Sequence, residues 1–196
     1  MNIVITGPSG SGKSTFAKLL REQIYANVCE VDIFFRDTFL EQKDLMIKKL
    51  GNNCINPNGT VNFGLLSLLP PEKDLEIRML LSNPMDEKIS QEIQNAKNEN
   101  KSIIFDYLFL TDCNSLLKSD LIIYINTPIE IRYERMLKRG KDRFKFTMEQ
   151  FVAMDNLTKS TLKDYTPDLI IDNSTNDNID EQIEKIINFI KLNKTF

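Results

Sequence analysis

The sequence predicts an α/β protein of three layers, α/β/α, built on a five-stranded parallel sheet with an inserted helical region and a basic lid. Three observations predict it. Runs such as Ser102-Ile103-Ile104-Phe105-Asp106 and Leu121-Ile122-Ile123-Tyr124-Ile125 are near-continuously apolar, as strands covered on both faces are. Helical segments separate these runs, and that alternation makes the sheet parallel. The first run, Asn2-Ile3-Val4-Ile5-Thr6, leads directly into Gly7-Pro8-Ser9-Gly10-Ser11-Gly12-Lys13-Ser14, which fits G-x-x-x-x-G-K-[ST].

The expected strands are 2–6, 28–32, 102–107, 121–126 and 168–172. After the first strand, Gly7, Gly10 and Gly12 let backbone N–H groups turn inward toward phosphate oxygens. Ser9, Ser11 and Thr15 complete the cradle. Lys13 places a cation near the outer phosphates, and the Ser14 hydroxyl can ligate Mg2+. Phe16, Leu19, Leu20 and Ile24 recur at helical spacing, so the loop opens a helix whose N-terminus favours anions. Strand, loop and helix in this order are the P-loop NTPase-type pattern.

The second strand, Val28-Cys29-Glu30-Val31-Asp32, places Asp32 at its carboxyl end beside the loop, where ligands bind in parallel sheets. An Asp there can accept the proton of an attacking hydroxyl; its plainer role is to cap the next turn. Glu30 shares its face by strand period and could help hold the metal through water. The interval 37–100 is too long for a simple crossover. It reads as a helix from Asp37 to Leu50 stopped by Gly51, an Asn/Gly/Pro-rich loop from Asn52 to Gly64, and two helices near 71–81 and 85–99. The third strand ends at Asp106, a second acidic group for the metal and substrate edge, or again a cap.

Thr127-Pro128 starts another helix, with Thr as cap and Pro at its first position. Arg132, Arg135 and Arg139 fall on one face of it. Arg139 and Arg143 suit a lid that neutralises charge on a transferring phosphoryl group, and Arg135 suits an anchor for phosphate or base. Arg132 and Lys145 read as a solvated basic face, the plain alternative for the whole cluster. Thr147-Met148-Glu149-Gln150 fits a capping box that restarts a helix after the basic hinge Gly140 to Phe146. The last helix, about 178–192, carries Ile179, Ile183, Ile186, Ile187 and Ile190 as a core stripe.

At 196 residues the chain is one domain, with its core at about 1–36, 101–130 and 165–196, an inserted region at about 37–100 and a lid at about 131–164. A net charge of −3 argues against non-specific nucleic-acid binding. No apolar run approaches ~20 residues, so no membrane span is expected, and the N-terminal run reads as a core strand rather than a signal peptide. Cys29, Cys54 and Cys113 form no C-x-x-C pair and read as reduced thiols of a cytoplasmic protein. There is no histidine, which excludes Ser-His-Asp and Cys-His catalysis and histidine metal sites.

These residues together resemble dephospho-coenzyme A kinase, a P-loop kinase of the nucleoside-monophosphate-kinase-like group. The family's loop G-x-x-G-S-G-K-S-T matches Gly7 to Thr15. Its acidic-x-Asp followed by Arg matches Glu30-Val31-Asp32 and Arg36, which implies Asp32 as base for the ribose 3′-hydroxyl and Arg36 at the substrate. Its R-x-x-x-R entering the lid matches Arg135 and Arg139. Its closing strand A-D-x-V-I-x-N resembles Asp168 to Asn173, which implies Asn173 near the adenine. Departures lie in the acceptor half: Asn83-Pro84 stands for His-Pro, Phe63 and Gly64 stand where the family has an Arg, and Leu108 stands for the Pro of D-x-P-L-L.

The expectation is an ATP- and Mg2+-dependent kinase acting on a hydroxyl of a small molecule, first dephospho-coenzyme A. The alternatives are a nucleoside or nucleoside-monophosphate kinase, and a nucleotide-binding regulatory P-loop protein. Against the last, no convincing Asn-Lys-x-Asp guanine motif occurs.

Overall fold

A computed structural model describes residues 1–139, 147–161, 165–175 and 178–193. Five parallel strands, β1 (Asn2–Thr6), β2 (Ala26–Glu30), β3 (Ser102–Asp106), β4 (Leu121–Asn126) and β5 (Leu169–Asp172), form one sheet in the order β2-β3-β1-β4-β5. Alternation along each strand divides the core. Val4, Ile103, Phe105 and Ile122 face one side, and Ile3, Ile5, Ile104, Ile123 and Ile125 face the other. The first side packs on α2 (Val31–Glu41), α3 (Lys43–Leu50), α5 (Pro71–Asn98) and α6 (Asn114–Leu117). The second packs on α1 (Lys13–Gln23) and on α9 (Ile179–Asn193), whose Ile183, Ile186 and Ile190 are buried as the stripe predicts. Three layers result, as expected.

Register brings the carboxyl ends together. Glu30 and Ile5 both pair with Asp106, and Thr6 pairs with Tyr124. The second strand begins and ends two residues earlier than expected. Its partner β3 ends at Asp106, so β2 has no ladder to follow beyond Glu30. Val31 instead starts α2, and Asp32 lies in that helix's first turn rather than on a strand face shared with Glu30. A carboxylate in a helix's first turn meets the positive end of the helix dipole.

Two further expectations change. The helix expected from Asp37 to Leu50 is two helices joined at Gln42. The two helices expected near 71–81 and 85–99 are the single 28-residue α5, which runs through Pro84. A short α4 (Phe63–Leu66), capped by the Asn62 side chain, precedes it inside the expected loop. After β4 come α7 (Ile129–Arg139) and α8 (Met148–Thr161). Thr147 and Gln150 exchange side-chain and backbone bonds at the start of α8, which is the expected capping box. Among the described residues no helix is long and apolar enough to cross a membrane.

Candidate active site

The loop from Gly7 to Ser14 is shaped by what holds its carbonyls. Arg132 Nη1 donates to the Ser9 carbonyl (3.2 Å). The Ser11 carbonyl accepts from Asn173 Nδ2 (2.7 Å), Thr127 Oγ1 (3.0 Å) and Arg135 Nη1 (3.5 Å). In a trans peptide the N–H points opposite to the C=O. With the Ser9 and Ser11 carbonyls drawn outward, the Gly10 and Gly12 N–H groups point inward. Among the described residues no protein acceptor takes the N–H groups of Gly10, Gly12, Lys13 or Ser14. Those of Lys13 and Ser14 belong to the first turn of α1, where helical partners are lacking. The result is a nest of N–H donors suited to an anion.

Two glycines are required by space as well as by conformation. A Cβ on Gly10 (φ 79°) would lie 2.8 Å from the Arg132 carbonyl, and one on Gly12 (φ 103°) would lie 2.6 Å from Asn173 Nδ2.

The acidic groups stand where β2 and β3 end. The Ser14 hydroxyl donates to the Asp106 carboxylate, so Asp106 belongs to the Ser14 side of the site. Lys13 Nζ donates to the Pro8 carbonyl at 3.4 Å. Burial lowers the Lys13 ammonium below its ordinary range, opposed by attraction to Asp106 and Asp32. Asp32 is exposed as a residue, yet the protein packed around its carboxyl desolvates it, and this burial is the main cause that holds it above the usual range. Lys13 pulls it down, and Asp106 and Glu30 push it up.

Mg2+ takes one or two protein oxygens and fills its remaining positions with water and substrate phosphates. The Ser14 hydroxyl and Asp106 carboxylate, already in contact, are hard oxygen donors that fit it. A cluster of three or more acidic, Cys or His ligands does not occur among the described residues.

The basic residues divide. Arg139 is exposed at the end of α7, close enough that its charge depresses both Lys13 and Arg135. Arg135 also donates to the Asn173 carbonyl (3.2 Å), so it and Asn173 both brace the loop. Arg36 is exposed on α2, one turn after Asp32, and pairs with Asp37 (3.0 Å). Arg143 lies outside the described residues, as do Lys145 and the basic hinge.

Arg132 is not a solvated arginine. It is 1% exposed and forms a two-pronged pair with Asp155 of α8, at 2.8 Å for each prong. Thr127 turns its hydroxyl to the Ser11 carbonyl, a loop contact where the sequence suggested a helix cap. Neither contact has a local signature, because Arg132 and Asp155 meet only after α7 and α8 pack. A second buried pair that sequence reasoning missed lies where α5 packs on the sheet. Arg78 of α5 meets Asp112, just after β3, at 2.6 Å, and its guanidinium lies over the Phe109 ring at 4.5 Å. Burial pushes Asp112 up to about 6 although Arg78 pulls it down.

No family model matches the chain. A cytidylate kinase of Sulfurisphaera tokodaii is 30% identical to it over 97% of both chains. The chain belongs to the family of P-loop kinases that contains this cytidylate kinase. A dephospho-CoA kinase of Buchnera aphidicola is 28% identical to the kinase over 71% of this chain and 68% of its own. In three dimensions the kinase resembles a dephospho-CoA kinase from Campylobacter jejuni with a TM-score of 0.64. That likeness spans 96% of each chain at 19% identity and shows the fold. The expected P-loop architecture is therefore the one the kinase has.

Proposed function

We propose that this kinase transfers the γ-phosphoryl group of ATP to a nucleoside monophosphate, with cytidine monophosphate the first acceptor to test. The observation that carries the reading is the likeness to the Sulfurisphaera cytidylate kinase, which runs through the acceptor half as well as the nucleotide half. The acceptor half is also where dephospho-coenzyme A kinase motifs are replaced, at Phe63, Asn83 and Leu108.

The loop N–H groups hold the β-phosphate, and Lys13 bridges β- and γ-oxygens. Ser14 and Asp106 would hold Mg2+, which would supply screening of charge on the phosphates. Arg139 extends the positive rim toward the transferring group, and Arg36 supplies a cation for an acceptor phosphate. Transfer then depends on alignment and charge stabilisation, without a covalent intermediate. An acceptor phosphate already carries its nucleophilic oxygen as an anion, so Asp32 orients the acceptor rather than deprotonating it.

Dephospho-coenzyme A is the second reading. The raised Asp32 carboxyl favours it, since a carboxylate with a higher proton affinity is a better base toward a hydroxyl nucleophile. Incubation with Mg·ATP and, in parallel, cytidine monophosphate, other nucleoside monophosphates, nucleosides and dephospho-coenzyme A separates the two. Product masses are expected to show cytidine diphosphate. Coenzyme A as the sole product would replace the first reading by the second, and no phosphorylated product with any acceptor would make the chain a nucleotide-binding regulator.

A further inference from the structure

We infer that Arg132 is a positioning residue for the phosphate loop, and that its buried pairing with Asp155 makes helix α8 part of the nucleotide site. The inference rests on the reading that the loop holds ATP, and it is independent of the acceptor.

The guanidinium of Arg132 makes four directed bonds inside the protein. Nε donates to the Thr127 carbonyl (2.9 Å), Nη1 to the Ser9 carbonyl (3.2 Å) and to Asp155 Oδ1 (2.8 Å), and Nη2 to Asp155 Oδ2 (2.8 Å). The Phe151 ring, one turn before Asp155 on α8, lies beside the guanidinium at 5.5 Å to its centroid. Both charged side chains are almost completely removed from water. A planar fork gripped by a carboxylate has its remaining donors fixed in direction. Here one of those remaining donors points at the Ser9 carbonyl.

That carbonyl decides where the next N–H points. The Ser9–Gly10 peptide is planar, so the bond from Arg132 holds the Gly10 N–H inward, toward the anion nest. Arg132 also limits the loop from its backbone side, through the close approach of its carbonyl to Gly10. Thr127, whose carbonyl accepts from Arg132, donates its hydroxyl to the Ser11 carbonyl and so sets the Gly12 N–H in the same way. One buried unit thus orients two of the loop's donors. Asp155 anchors that unit, and Asp155 belongs to an element that contributes nothing else to the loop's own hydrogen bonds among the described residues.

The consequence is reciprocal. If the position of α8 sets the loop's donors, a phosphate that engages those donors must also restrain α8. A pair that merely stabilises the fold would change the unfolding midpoint and leave nucleotide affinity alone.

The test uses the full chain with ATP and ADP as probes. Asp155→Asn removes the charge and one acceptor. Arg132→Lys keeps the charge but cannot grip Asp155 while reaching both carbonyls. Both are measured at a temperature where circular dichroism matches the wild-type protein. ATP and ADP affinity by calorimetry is expected to weaken about tenfold or more in each variant, within the usual range of linkage effects. The KM for acceptor at saturating ATP stays near the wild-type value. Hydrogen exchange supplies a readout that needs no variant: ATP is expected to slow exchange in α8 of the wild-type protein, and Asp155→Asn abolishes that slowing. Unaltered affinity in a folded variant, or a wild-type α8 indifferent to ATP, overturns the inference. A wild-type chain that binds no ATP removes the nucleotide reading itself, and the positioning role falls with it.

Discussion

Asp32 and Asp112 are carboxyls whose protons burial holds on, and each makes a pH experiment decisive. If Asp32 serves as a base, it works only when ionised. Its raised affinity for the proton then moves the acid limb of turnover above the ordinary aspartate value of ~3.9. Turnover falls as pH drops through that limb, and Asp32→Asn flattens the limb while lowering the rate by roughly 10²-fold. With a phosphate acceptor the same variant instead raises acceptor KM and leaves the shape of the pH profile alone, so rate–pH curves of the two proteins tell base from orienting group. Asp112 acts on stability. Its folded form, with a value of about 6, binds the proton more tightly than the unfolded chain does. Its contribution is full below the unfolded value of ~3.9 and is lost as pH rises through 6. Asp112→Asn titrates nowhere in this range. Urea unfolding should therefore show wild-type stability falling relative to the variant between pH 4 and 7; a relative rise would mean that attraction to Arg78 outweighs burial at this site.

At the scale of elements, α5 shows why local signals mislead. Asn83-Pro84 reads as a helix boundary because proline lacks an N–H and crowds the carbonyl four residues back. The helix continues because Ile77, Arg78, Leu81, Met85, Ile89 and Ala96 form one buried stripe across the proline, and both halves are held against the same core. Packing outweighs a local cost of ~3 kcal/mol. Pro84→Ala restores a donor for the Leu80 carbonyl and is expected to raise stability by about 1 kcal/mol or more, read from urea midpoints. A loss would show that the backbone Pro84 imposes is needed to seat Met85 and Ile89. The second strand failed in the opposite direction. Its apolar run extends to Val31, but a strand needs a partner, and β3 has ended by then. The capping box at Thr147 was legible because both of its bonds lie within four residues.

For the whole molecule, strand identity, parallel pairing and the ligand edge could be read because each leaves a periodic or motif-length trace. The brace around the loop could not. Asn173 reaches Ser11 across 162 residues of chain, and Arg132 reaches Asp155 across 23, and isolated polar residues on separate elements carry no period. The loop nevertheless joins the parts of the fold. It leaves the central strand β1, opens α1, and is braced from the ends of β4 and β5 and from α7. A ligand there ties both sheet faces together, so ATP is expected to stabilise the protein as a unit rather than to tighten one loop. At ATP a hundredfold above its dissociation constant the gain is about 2.7 kcal/mol. Each kcal/mol moves the midpoint of a chain this size by about 2–4 °C, so ATP should raise it by roughly 5–10 °C. Lys13→Ala should lose most of that rise while its midpoint without ATP stays close to that of the wild-type protein, because the Lys13 ammonium is held in the cleft by the weak Pro8 contact and costs desolvation there. Equal shifts in the two proteins, followed by calorimetry, would place the bound nucleotide away from the loop.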